Sequence, residues 1–133
     1  MAKYDFTKYK ANTEAEKVSP HLEHEFRPIK DDQDIVVKCS YFKAGERTGF
    51  IDFSEGRSAS FNFRRVFQKK VISIEGLVLT VTDEKTDKPK DIVVSDPQVL
   101  LNFPDVGIVN DIVTEVARHI VNADELTEDE EGN

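Results

Sequence analysis

The side chains of this chain best suited to metal ligation or nucleophilic chemistry are three histidines, His21, His24 and His119, and a single cysteine, Cys39. His21 and His24 fall in "HLEHEF", three residues apart, with Glu23 and Glu25 alongside. On a helix that spacing puts two imidazoles on one face, where a carboxylate could join them around a metal ion. Pro20 and Pro28 leave room for only a short helix, no third histidine is near in sequence, and neither histidine matches a zinc motif. The reading is two exposed histidines in an arm, with no metal and no cofactor. Cys39 sits in an alternating apolar stretch and is expected as a small core residue rather than a reactive thiol. One cysteine also excludes an internal disulfide. His119 lies beside an apolar helical stripe and is expected at a boundary or an interface, with no nucleophile or paired carboxylate to make it catalytic. The chain contains no glycine-rich phosphate loop, nucleophile elbow or metalloprotease helix. No catalytic residue is assigned, and a non-enzymatic protein is expected.

A second cluster is "GFIDFSEGRSASFNFRRVFQKK", residues 49–70, where phenylalanines meet Arg64, Arg65, Lys69 and Lys70. Gly49-Phe50-Ile51-Asp52-Phe53 matches the end of an RNA-recognition signature. The preceding positions, which need a basic residue, Gly and an aromatic, hold Glu46, Arg47 and Thr48. A single-stranded nucleic-acid module using Phe50, Phe53, Arg64 and Arg65 is therefore the alternative reading. The preferred one splits the run by period. "GFIDF" forms core, and "SFNFRRVFQKK" opens a helix with Phe63, Phe67 and Val71 inward. Its basic residues Arg64, Arg65, Lys69 and Lys70 then make an outward stripe suited to docking an acidic protein partner.

The elements that must position these residues follow from periodicity. "DIVVKCSYF", residues 34–42, alternates as a strand with Ile35, Val37, Cys39 and Tyr41 on one face. "RTGFIDFS" is compatible with a strand or a short helix. The spacing of Phe63, Val66, Phe67, Val71 and Ile74 predicts a helix capped by Ser58 or Ser60 and ended by Gly76. "LVLTV" and "IVV" flank a charged turn and predict a hairpin. Asp96 or Ser95 before Pro97 starts a short helix that Pro104 stops. Asp105 is expected to cap a final amphipathic helix with Val109, Ile112, Val113, Val116 and Ile120 in its stripe, closed by Asn122. The expected fold class is α+β: a small N-terminal β-strand region and a hairpin packed with about three helices. Residues 1–32 read as a polar N-terminal arm, 33–122 as a single globular domain, and 123–133 as an acidic mobile tail.

The net charge of −8 argues against a duplex-binding protein, because neutralising phosphates needs a basic face. The opening residues carry no apolar core of a secretory signal, and no apolar run approaches the ~20 residues that span a bilayer. The expectation is a soluble protein of a reducing cytosol.

From about Phe61 onward, the succession of segments runs helix, "VISIEGL", charged turn, "DPQVLLNFPDVGIVNDIVTEVARHIVNADEL" and "TEDEEGN". This order resembles the tail assembly chaperone type of tailed bacteriophages, small proteins made just before the tape-measure protein. The resemblance rests on Ile74-Glu75-Gly76-Leu77, on Leu100-Leu101 with Pro104, and on the exit from Asn122 to Leu126 into a Glu-rich end. It covers residues 60–133. It implies a non-enzymatic assembly role in the host cytoplasm, with self-association and binding to tape-measure or tail-tube proteins, and a place in the virion as a further possibility. Under that reading Arg64, Arg65, Lys69 and Lys70, with Val109, Ile112, Val113, Val116 and Ile120, are the expected protein-interaction residues.

Overall fold

The computed structural model describes residues 2–5, 7, 23–53 and 59–122. His21, most of the N-terminal arm and the acidic tail lie outside the described residues. The fold is α+β, with three α-helices among the described residues and antiparallel strands in small sheets.

The central sheet is antiparallel, in the order β1 (Glu23–Phe26), β2 (Val36–Ser40) and β5 (Val71–Glu75). From Ile35, just before β2, the inward face reads as alternation requires: Ile35, Val37 and Cys39 are buried, and Lys38 between the last two is exposed. The outer strand, β1, falls inside the segment read as an arm. Its register sets His24 opposite Cys39 and Phe26 opposite Val37. A short 3-10 turn (Arg47–Phe50) leads into the two-residue strand β3 (Ile51–Asp52), which pairs with β4 (Ser60–Phe61). "RTGFIDFS" thus divides between the two conformations its composition allowed.

The helix expected to run to Ile74 is corrected. Helix α1 covers only Phe63–Lys70, and the chain continues as strand β5. Asn62, not a serine, caps it, with its side chain accepting from the Arg65 amide at 3.1 Å. The misreading has a physical cause. Lys38 pairs with Ser73, but the next residue, Cys39, pairs with Val71, so Ile72 is an extra residue in the ladder. This bulge lets Val71 and Ile74, three apart, both face inward while Ile72 points out. A spacing of three is the helical signature, and here a bulged strand produces it.

Gly76 is therefore not a helix cap. It makes the turn from β5 into the hairpin β6 (Val78–Thr82) and β7 (Pro89–Val93). Its φ is +76°, and a Cβ there would lie 2.0 Å from the Asp34 carbonyl oxygen. Helix α2 (Pro97–Leu101) begins at Asp96, whose carboxylate accepts from the Gln98 amide at 2.8 Å. Helix α3 (Gly107–Val121) has Val106 at the capping position. Asp105, expected there, accepts instead from the Asn110 side chain at 2.9 Å. Helices α1 and α3 pack on each other, and α3 also covers β2. The core joins Val37, Val66, Phe67, Ile74, Leu100, Ile112, Val116 and Ile120. No helix among the described residues is long and apolar enough to cross a membrane.

Two glycines with similar positive φ give a direct test of the close approach. Gly45 (φ +78°) has open space around it, whereas Gly76 meets backbone. Gly45→Ala should cost about 1–2 kcal/mol of unfolding free energy, the left-handed penalty alone. Gly76→Ala should cost clearly more than that, read from urea denaturation of the two variants side by side.

Candidate functional site

The donor atoms that the sequence scatters over 95 positions meet at one point. His24 comes from β1, Cys39 from the facing position of β2, and His119 from the last turns of α3. The two imidazole Nε2 atoms are 2.7 Å apart, and the Cys39 Sγ lies 3.4 Å from the His24 Nε2. All three donor atoms fall within 4.8 Å of one another. Each ring is held by an aromatic neighbour. Tyr41 stacks on His24 at 4.0 Å with 13° between planes, and Phe26 stacks on His119 at 3.9 Å and 4°. These contacts fix the direction in which each Nε2 points.

Burial sets the protonation. It pushes the Cys39 thiol up to about 12, so the sulfur carries its proton at neutral pH. Burial, followed by the neighbouring His24, lowers His119 to about 4, so that ring is neutral. A cysteine beside a histidine could signal a nucleophile. Here the cysteine is fully buried and protonated, which denies a substrate both access and a thiolate. What the arrangement offers is two imidazoles and a thiol aimed at a common point.

The expectation of two exposed histidines in an arm is corrected for His24, which is half-buried in a strand of the sheet. No local spacing could have joined these three residues. Two signals were present: the alternation that turns Cys39 inward, and the position of His119 between Val116 and Ile120 on the buried stripe of α3.

The expected interaction residues divide. Val109, Ile112, Val116 and Ile120 are buried within the chain's own core, so they cannot form an exposed docking face. Val113 is half-buried and lines a shallow cleft of about 150 Å³ with Phe63, Phe103 and Leu101. The basic stripe holds for Arg64, Arg65 and Lys69, which are exposed, and fails for Lys70. Lys70 is buried near the Phe42 ring and pairs with Glu46, so it is not part of a solvated face. Arg64 donates to the Leu101 carbonyl at 3.2 Å, Arg65 lies over the Phe50 ring at 5.5 Å, and Lys69 is exposed. Phe50 is buried, which removes it as a base-stacking platform; Phe53 is exposed.

Burial works against the charge on Glu46. The Lys43 amide, which donates to it at 2.9 Å, and the Lys70 ammonium outweigh that effect and hold its carboxyl below the usual range.

No protein-family model matches the chain, and neither a curated protein nor a solved structure matches it.

Two predictions follow from these pairings. Glu46→Ala leaves the buried Lys70 ammonium without its carboxylate and should cost roughly 1–3 kcal/mol. Adding Lys70→Met to that variant should recover most of the loss in urea denaturation. Between about pH 6.5 and about pH 4 the unfolded chain binds the His119 proton and the folded protein does not, so stability falls as pH falls through that window. Urea midpoints of the metal-free protein should decline accordingly, and His119→Phe should flatten that decline.

Proposed function

We propose that this chain is a non-enzymatic assembly protein of the tailed-phage tail type, working in the host cytoplasm by self-association and by binding tape-measure or tail-tube proteins. The observation that supports it most is the β6–β7 hairpin. Among the described residues its sheet has two strands, and no further strand of those residues pairs with either edge. One face carries the half-buried Leu79 and Ile92 toward the core. On the opposite face Val78 and Val93 are cross-strand partners, 52% and 72% exposed. A two-stranded ribbon is marginally stable by itself, and an apolar pair beside open edges favours strand addition by another chain. The occupant assigned to this surface is the hairpin of a second copy. Within β7, Lys90 (opposite Val81) and Asp91 (opposite Thr80) supply both charges along one edge and suit an antiparallel self-pairing.

The cleft lined by Phe63, Leu101, Phe103 and Val113 has room for a single apolar side chain of a partner helix. Weak, separate contacts of this kind suit a protein that must release its client. The acidic net charge keeps the free pool soluble.

Static light scattering across concentration tests this reading. The chain should form oligomers, or shift on addition of tape-measure segments, and Val93→Lys should weaken association roughly tenfold or more. A strict monomer at every concentration, inert to those segments, overturns it. Retention of a labelled single-stranded oligonucleotide at low salt, lost steeply as salt rises, would put the nucleic-acid reading in its place.

A further inference from the structure

Beyond the assembly role, and independent of it, we infer that His24, Cys39 and His119 form a binding site for a zinc-class divalent cation, with two imidazole Nε2 atoms and one sulfur as ligands. The inference starts from a hydrogen-bonding conflict. The His24 Nε2 has either one lone pair or one hydrogen, yet it faces the His119 Nε2 at 2.7 Å and the Cys39 Sγ at 3.4 Å. A single proton position cannot serve both neighbours with good geometry. A cation among the three atoms engages a lone pair from each.

The distances are near those a metal requires. Tetrahedral zinc, with bonds of about 2.0–2.1 Å to nitrogen and 2.3 Å to sulfur, sets nitrogen and sulfur about 3.6 Å apart and two nitrogens about 3.3 Å apart. The His24–Cys39 nitrogen–sulfur separation is already within about 0.2 Å of that value, the imidazoles need to part by about 0.6 Å, and the sulfur and the His119 nitrogen lie within 4.8 Å of each other. The donor set narrows the class. Imidazole with thiolate selects zinc and copper over magnesium and calcium, which take oxygen ligands.

The surroundings are those of a built site rather than a chance meeting. The sulfur is wholly buried. The two rings are clamped by Tyr41 and Phe26, which orient the imidazoles much as outer-shell partners orient ligands in known metal sites. Binding through one lone pair from each imidazole balances as Zn²⁺ plus the thiol giving the zinc thiolate and one released proton. Three protein ligands leave a fourth position for water, and both histidines are only half-buried. The ion would tie β1 and the C-terminal end of α3 to the same strand, β2.

The test uses the full chain, stripped of metal by chelation under reducing conditions and titrated with Co²⁺ and then Zn²⁺. One equivalent of Co²⁺ should give a sulfur-to-cobalt charge-transfer band and the strong visible absorption of tetrahedral cobalt. Zn²⁺ should displace it, and the thermal midpoint should rise with free Zn²⁺. His119→Phe keeps a ring stacked on Phe26 and removes the nitrogen. It should lower affinity at least about a hundredfold, because loss of an outer-shell partner alone costs ten- to a hundredfold. Cys39→Ala should abolish the charge-transfer band. Absence of stoichiometric metal uptake by the unmodified chain overturns the proposal. So does a cobalt spectrum unchanged in both variants when circular dichroism shows them folded. Light scattering of the stripped protein reports separately on assembly.

Discussion

The apolar stripe of α3 is the constraint on which the rest of this fold depends. Ile112, Val116, Ala117 and Ile120 are completely buried. They meet Val66 and Phe67 of α1 and the inner face of β2 within one core. Fully burying one such aliphatic side chain contributes roughly 1.5–3 kcal/mol, so this single helix supplies a large part of the hydrophobic driving force. The same packing gives α3 its rotation. With Val116 and Ile120 pressed inward, His119 has one place to go, over the outer strand of the sheet, against Phe26 and beside His24.

The sheet below is tuned by one irregularity. The extra residue at Ile72 lets β5 bury Val71 and Ile74 together. It also sits beside Cys39 in the register, where the ladder shifts between Lys38 and Cys39. Bulges bend a strand and increase its twist locally. Here the register shift falls at Cys39, the residue that carries the sulfur of the three-donor cluster. At the other end of β5, Gly76 allows the chain to pass against the Asp34 carbonyl and launch the hairpin. The buried Lys70, paired with Glu46 and set 5.9 Å from the Phe42 ring centre, holds the end of α1 to the loop before the 3-10 turn. Regular elements carry the core, and these special positions connect them.

The hairpin and the three-donor cluster lie in separate parts of the fold. The hairpin projects from the core with Val78 and Val93 outward, and the cluster of His24, Cys39 and His119 lies where β1, β2 and α3 meet. The hairpin is attached through Leu77 and Val94, both buried, with Val94 donating to the Leu77 carbonyl at 3.0 Å. Strand addition at the hairpin would therefore leave the core and the cluster undisturbed. Of the residues first expected at the interface along α3, Val109, Ile112, Val116 and Ile120 are buried in the core and Val113 lines the cleft.

Local chemistry was enough to determine much of this protein. Alternation placed Ile35, Val37 and Cys39 on one face of a strand, Asp96-Pro97 opened a short helix, and the stripe from Val109 to Ile120 described α3 nearly to its ends. These features depend on neighbours within a few positions, and periodicity reports them directly. The bulge at Ile72 defeated the same reasoning, because a two-against-one register exists only once a partner strand is in place. The ligand cluster defeated it for a related reason. His24 and Cys39 become neighbours through strand pairing, and His119 joins them through helix packing from 95 residues away. Residue types alone marked each as capable of chemistry, but only the tertiary structure could decide that the three aim at one point.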